Sequence, residues 1–419
     1  MFITLYSLWF LFAGIALIML GNGLQGTLLG VRASIEGFLT VETGIVMSAY
    51  YLGFLFGSTF TIRIVKKVGH IRAFAALASI ASALVLVHAV FLDPMPWFFI
   101  RVGSGFCFAG LAVITESWLN HYSTNQIRGR VFSIYMVIQL AGLGAGQFLL
   151  NLSDPGGYKL FILISVLVSL AVVPILLTST TAPVISEISK VGIRKLYEIS
   201  PLGLVGTLGV GIAHGSFLGM GAIYAKMEGF SLEQVAGFMA TLIFGGVVLQ
   251  FPIGRLSDHI DRRTVLTGAT FLAAVLALIC NGLEGVSINA FFFFSFLFGG
   301  LSLYSLCVAH TNDYLKPEQM VMASSSLTFV VGVGACLGPL TVSGMMRWFG
   351  TSGFFLYLAL IHGAIGGFAV YRICMRKPVP VEDQNPYVPV TPRVSPVAAA
   401  MAPESLMVEA EGNEGEKLS

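Results

Sequence analysis

Charge is scarce in this chain. Lys, Arg, Asp and Glu make up 11% of 419 residues while hydrophobic residues make up 56%, a balance foreign to water-soluble globular domains. A formal net charge of +2 is too small to hold a polyanion, so no nucleic-acid partner is implied. Cysteine is sparse as well. Cys107, Cys280, Cys307, Cys336 and Cys374 lie in or beside apolar stretches, without paired spacing or a neighbouring histidine set, which argues against a disulfide framework or a metal centre. There is no Gly-x-x-x-x-Gly-Lys phosphate loop, no His-Glu-x-x-His pair and no nucleophile elbow. ATP hydrolysis and enzyme chemistry of those kinds have nothing to stand on, and no cofactor is expected. No basic cluster precedes the first apolar run, so that run is expected to be kept as a helix rather than removed as a signal peptide.

What the chain does have is long apolar windows. A hydrocarbon layer of about 30 Å needs roughly 20 apolar residues in helical form. Twelve windows of that size are expected, at 4–30, 42–64, 71–92, 96–119, 130–151, 158–179, 201–224, 232–255, 264–283, 286–310, 321–346 and 350–372. With the N-terminus inside, the inner loops and the end of the last span hold sixteen Lys and Arg residues and the outer loops four. Basic residues in short loops stay cytoplasmic, so both termini are expected on the cytoplasmic side. The segment 181–200 reads as a cytoplasmic linker between halves 1–180 and 201–377. Residues 378–419, rich in Pro, Val and Ala and then acidic, read as a disordered cytoplasmic tail.

The chain also repeats itself. Glu36-Gly37-Phe38 returns as Glu228-Gly229-Phe230, and the same shift of 192 pairs Gly23 with Gly215, Gly53 with Gly245, Arg63 with Arg255 and Gly146 with Gly338. Each copy holds an even number of spans, so both enter the membrane from the same side. The expected fold is therefore an all-α polytopic membrane protein of two parallel six-helix repeats, with a solute site between them.

Between the eighth and ninth windows stands Gly254-Arg255-Leu256-Ser257-Asp258-His259-Ile260-Asp261-Arg262-Arg263. This resembles the loop signature of the major facilitator superfamily, with departures at His259 and Asp261. The equivalent stretch of the first half keeps only Gly69 and has Lys66 in place of the aspartate. Glu116-Ser117-Trp118-Leu119-Asn120, Arg128-Gly129-Arg130 and Gln250-Phe251-Pro252-Ile253-Gly254 further resemble a YcaD-like branch of bacterial permeases. The resemblance implies the major facilitator fold, an inner-membrane location, and first, fourth, seventh and tenth helices around a central cavity, with the third, sixth, ninth and twelfth outside.

A carboxylate at the mouth can cap exposed amides of a facing helix. Asp258 is accordingly expected to latch onto the start of the fifth span near Ile127 to Val131, Arg262 or Arg263 to meet Asp313, and Glu116 to meet Arg63, Lys66 or Arg72. Anchoring at lipid headgroups is the alternative for the basic residues. Ionisable groups inside a span mark functional candidates. Asn22 and Gln25 share a face of the first helix, and His214 stands opposite Asn22 across the pseudo-axis. His214 can hold a proton near neutral pH or serve as packing glue. Arg101 attracts an anionic group or snorkels to the outer headgroups. Tyr50, Gln139, Gln250 and Tyr304 are secondary candidates, while His88 and His362 are assigned to outer helices and Phe291 to Phe294 to the lipid face. The expected activity is secondary transport of a small molecule by a monomer in the lipid bilayer, with protons as coupling partner. A membrane sensor or scaffold, or a lipid flippase, are the alternatives.

Overall fold

The computed structural model describes residues 8–123, 127–177, 192–283, 287–301 and 303–392. Twelve helices are long and apolar enough to cross a membrane: α1 (Trp9–Ile35), α2 (Thr40–Val68), α3 (His70–Val90), α4 (Pro94–Tyr122), α5 (Arg128–Leu152), α6 (Lys159–Leu176), α7 (Pro201–Met227), α8 (Leu232–His259), α9 (Arg262–Gly282), α10 (Ile288–Asn312), α11 (Gln319–Phe349) and α12 (Ser352–Met375). They follow the expected windows one for one. A short helix, Ile193–Ile199, precedes α7, whereas most of the expected linker, 181–191, lies outside the described residues.

Helix is the form these windows must take, because a bilayer offers backbone amides no other partner. Their ends are set locally. Pro94 and Pro201 sit in first turns, where a missing N–H is no loss. Ser231 and Gln234 cap α8 reciprocally, and Glu42 takes the Leu39 amide at 3.0 Å before α2. Gly37 and Gly229 leave α1 and α7 at φ 76° and 80°, the left-handed exit that glycine makes without strain.

The internal repeat is carried by backbone contact. A Cβ on Gly146 would collide with the carbonyl of Leu20, and one on Gly338 with that of Ile212. The same shift relates all four residues. Gly23 faces the Leu143 carbonyl as Gly215 faces that of Ala335. Thus α1 packs on α5 as α7 packs on α11, each pair brought close by small residues.

The halves meet along α2 with α11 and α5 with α8. Ser48 donates to the Cys336 carbonyl across the first seam, and Gly144 faces the Phe244 ring across the second. Near the ends away from the basic loops, Gly30 abuts Ala222 and Gly44 abuts Ser343, so the halves touch on that face. The opposite face, where the basic loops gather, is called the basic face below.

Two expectations fail. Phe291 is not lipid-facing bulk: it is 2% exposed and packs with Tyr224, Phe238 and Phe355, although Phe293 of the same run is 58% exposed. The expected disordered tail is wrong for 378–392, which return to the body and bury Val390 and Thr391. Residues 393–419 lie outside the described residues.

Candidate functional site

A cavity between the halves holds about 850 Å³ of atom-free space, part of it open to solvent. Met19 of α1, Leu143 of α5, Phe217 of α7 and Phe298 of α10 supply apolar walls, while Gln139, His214, Gln250 and His362 supply polar atoms. A concave, mostly apolar pocket with a few convergent polar groups is the usual form of a small-molecule site. A second, smaller space of about 430 Å³, also partly open to solvent, adjoins Tyr50, Tyr51 and Thr328, and His214 lines both. Helix α10 is interrupted beside the first cavity, running as Ile288–Gly300 and then Tyr304–Asn312. Broken spans are tolerated where they line a cavity rather than lipid.

Several expected residues converge in the first half. Asn22 donates to the Tyr50 hydroxyl at 3.1 Å, and the Arg101 guanidinium lies 4.5 Å from the Tyr50 ring centre. Arg101 is 5% exposed, so it does not snorkel to headgroups but stacks on an aromatic face. Tyr50, the partner of Asn22, lines the second cavity. The second convergence is a hydrogen-bonded line. Gln139, on the cavity wall, donates to the Tyr135 hydroxyl at 2.6 Å, and Tyr135 donates to Glu116 at 2.7 Å. Glu116 is fully buried.

Other candidates stand apart. Tyr304 is buried 3.4 Å from the Thr328 hydroxyl and lines neither cavity. Both amide atoms of Gln25 are buried with no partner among the described residues. Lys66 and Arg72 are exposed.

At the basic face the expected latch takes another form. Arg262 and Asp313 pair at 2.6 Å, with side chains 1% and 2% exposed. Arg263 pairs instead with Asp261 at 2.9 Å. Asp258 accepts from Arg262 at 3.1 Å and from the backbone amide of Tyr387 at 2.9 Å. Its carboxylate is therefore taken up within the second half and the returning tail, not by the start of α5. Burial pushes the Asp313 carboxyl up to about 6, against the pull of Arg262 and of the Asn385 amide.

His362 was missed by the sequence reading. The resemblance puts its helix on the outside, yet it lines the first cavity beside Phe298, ring centres 5.3 Å apart. Thr391 and Pro392, which also line that cavity, were missed with the tail.

Two six-helix repeats closing on a central pocket define the architecture of a membrane transporter. The chain belongs to the Major Facilitator Superfamily, whose model matches residues 11–248 and 204–401. It is 27% identical over 358 residues to the uncharacterized MFS-type transporter YcaD of Salmonella arizonae, covering 84% of this chain and 92% of that one. In fold it is similar to the nucleoside transporter NupG, with TM-score 0.70, 12% identity and coverage of 87% and 98%. The Escherichia coli fucose:proton symporter FucP aligns with TM-score 0.55, 15% identity and coverage of 88% and 99%.

Proposed function

We propose that the protein moves a small organic solute across the bacterial inner membrane by alternating access, driven by protons. The observation that carries this reading is the line from the cavity through Gln139 and Tyr135 to the buried carboxylate of Glu116. A carboxylate away from water is costly to ionise unless its neighbours compensate. Its proton therefore responds to which side the cavity is open to, and Tyr135 links that proton to the solute space. His214 and Gln250 orient the solute, and the Asn22, Tyr50 and Arg101 group shapes the second cavity.

The halves 1–180 and 201–377 are the rocking bodies, working as a monomer. The sixteen-to-four distribution of basic residues favours a cytoplasmic side for both termini. Nucleosides and fucose, named for NupG and FucP, are both small polar organics, and the proton named for FucP favours coupling here.

The test is solute screening by thermal shift on the purified protein, because a ligand of the folded state raises its melting temperature. Proteoliposome transport of the hit under an imposed pH gradient follows. Glu116→Gln is expected to bind the solute but lose gradient-driven accumulation. Undiminished accumulation by a folded Glu116→Gln protein would sink the coupling claim.

A further inference from the structure

The chain returns to its own cavity after the last span. Residues 384–392 run from the basic face toward the pocket between the halves, and their contacts are made mainly by main-chain atoms. The Asn385 amide donates to Asp313 at 3.0 Å, and its carbonyl accepts from Arg262 at 2.7 Å. The Tyr387 amide donates to Asp258. Deeper in, the Ser305 hydroxyl accepts from the Val390 amide at 2.9 Å and donates to the Val390 carbonyl at 2.8 Å. Ser305 lies one residue into the second piece of the broken α10. The Thr391 hydroxyl points to the Met136 sulfur of α5 at 3.8 Å, and Pro392 borders both cavities.

We propose that this vestibule is a binding site for an extended main chain, and that residues 384–392 fill it as a removable plug which closes the solute path on the basic face. The sequence suits the role. Pro386, Pro389 and Pro392 recur every three residues, the period of a polyproline II helix. Such a segment is already extended before it binds, so docking it forfeits little conformational entropy. At about 3.1 Å per residue it advances roughly 15 Å between Asn385 and Val390, against about 12 Å along a helix from Asp313 to Ser305. The extended segment is longer by about one residue's advance, so it can reach both anchors.

Side chains fix the register. The Tyr387 ring lies where a Cβ on Gly254 would stand, Val390 is 1% exposed, and the Asn385 side-chain amide donates to the Asn312 carbonyl at 3.1 Å. The plug joins the halves as well: Asp258, Ser305 and Asp313 belong to the second, Met136 to the first. While it is seated, the basic face cannot open fully.

The inference takes the cavity as the solute path, and its readout needs no solute, so it fails independently of the transport reading. In a cysteine-free background, a single Val210→Cys on the cavity wall is labelled with a water-soluble maleimide from the basic face. Ending the chain after Lys377 is expected to speed labelling by about tenfold or more, given several hydrogen bonds lost. A synthetic peptide spanning 378–393 should slow it again. Val390→Asp, which keeps the full length but puts a charge at a buried position, should give the same rise without truncation. A Thr391→Cys, Met136→Cys pair should form a disulfide under mild oxidation and hold the slow rate. Unchanged labelling in both the truncated and the Val390→Asp proteins, or no cross-link at Thr391, would overturn the plug.

Discussion

The two halves are the same backbone machine with different chemistry at its corners. Gly146 and Gly338 make the same carbonyl approach in the two copies. The residues that sit at equivalent places around the basic face diverge. Where the second half has a buried Arg262–Asp313 pair joined by the partly exposed Asp258, the shift of 192 places His70, His121 and Lys66 in the first. His70 settles for the Ser117 hydroxyl at 3.2 Å and the Trp118 ring. The first half instead buries a carboxylate inside a span, Glu116, whose counterpart is Val308. Shared glycines therefore set how helices approach, and the unshared polar residues set the halves apart: an ion cluster that meets residues 384–392 in the second, a buried carboxylate hydrogen-bonded to Tyr135 in the first.

That division can be broken at three places. Arg262→Ala leaves Asp313 buried without its cation and is expected to cost about 3–5 kcal/mol, while His70→Ala costs about 1 kcal/mol. Denaturation in detergent measures both, and equal losses would mean the ion cluster is not the special feature of its half. Next come Gly146→Ala and Gly338→Ala, each expected to destabilise by about 1–3 kcal/mol through overpacking. The comparison predicts that the two losses agree, and melting curves of each variant would expose a half that tolerates the added methyl.

The smallest effect is a pH dependence of stability. Asp313, faced by Arg262 of α9, Asp258 of α8 and the Asn385 amide, has a carboxyl raised to about 6 by burial. A raised acid binds its proton more tightly in the buried state than in one that meets water. Folding is therefore favoured as pH falls through 6 and weakened as pH rises through it. Between pH 5.5 and 7.5 the folding equilibrium constant should change by about fourfold, read from denaturation in detergent at the two pH values. Asp313→Asn should flatten the profile, and a fourfold change surviving in that variant would assign it to another group.

The fold was legible because its signal is additive. Each span is a window of some twenty apolar residues, and a repeat of 192 residues cannot be mistaken once Glu36-Gly37-Phe38 and Glu228-Gly229-Phe230 are aligned. The meeting of Arg262 with Asp313 was legible for a related reason, since two charges near the same membrane face have few other partners. Geometry within a helix was not. His362 faces the cavity because of the rotation of α12, which neither composition nor span order records. Besides Arg262, Asp258 has a partner outside the span pattern altogether, the Tyr387 amide, in a segment whose proline content reads as disorder. Proline does deprive a chain of helix and sheet, yet at a period of three it also stiffens an extended form. The residues were visible, and their spacing carried a meaning that composition alone averages away.

Synthesis runs from the N-terminus, and Asn385, Tyr387 and Val390 leave the ribosome after all twelve spans. Until then the carboxylates of Asp258 and Asp313 lack the amides they hold in the finished protein. Sealing of the basic face accordingly comes after the spans are made. A truncated product stops short of it with its helices complete and its vestibule open.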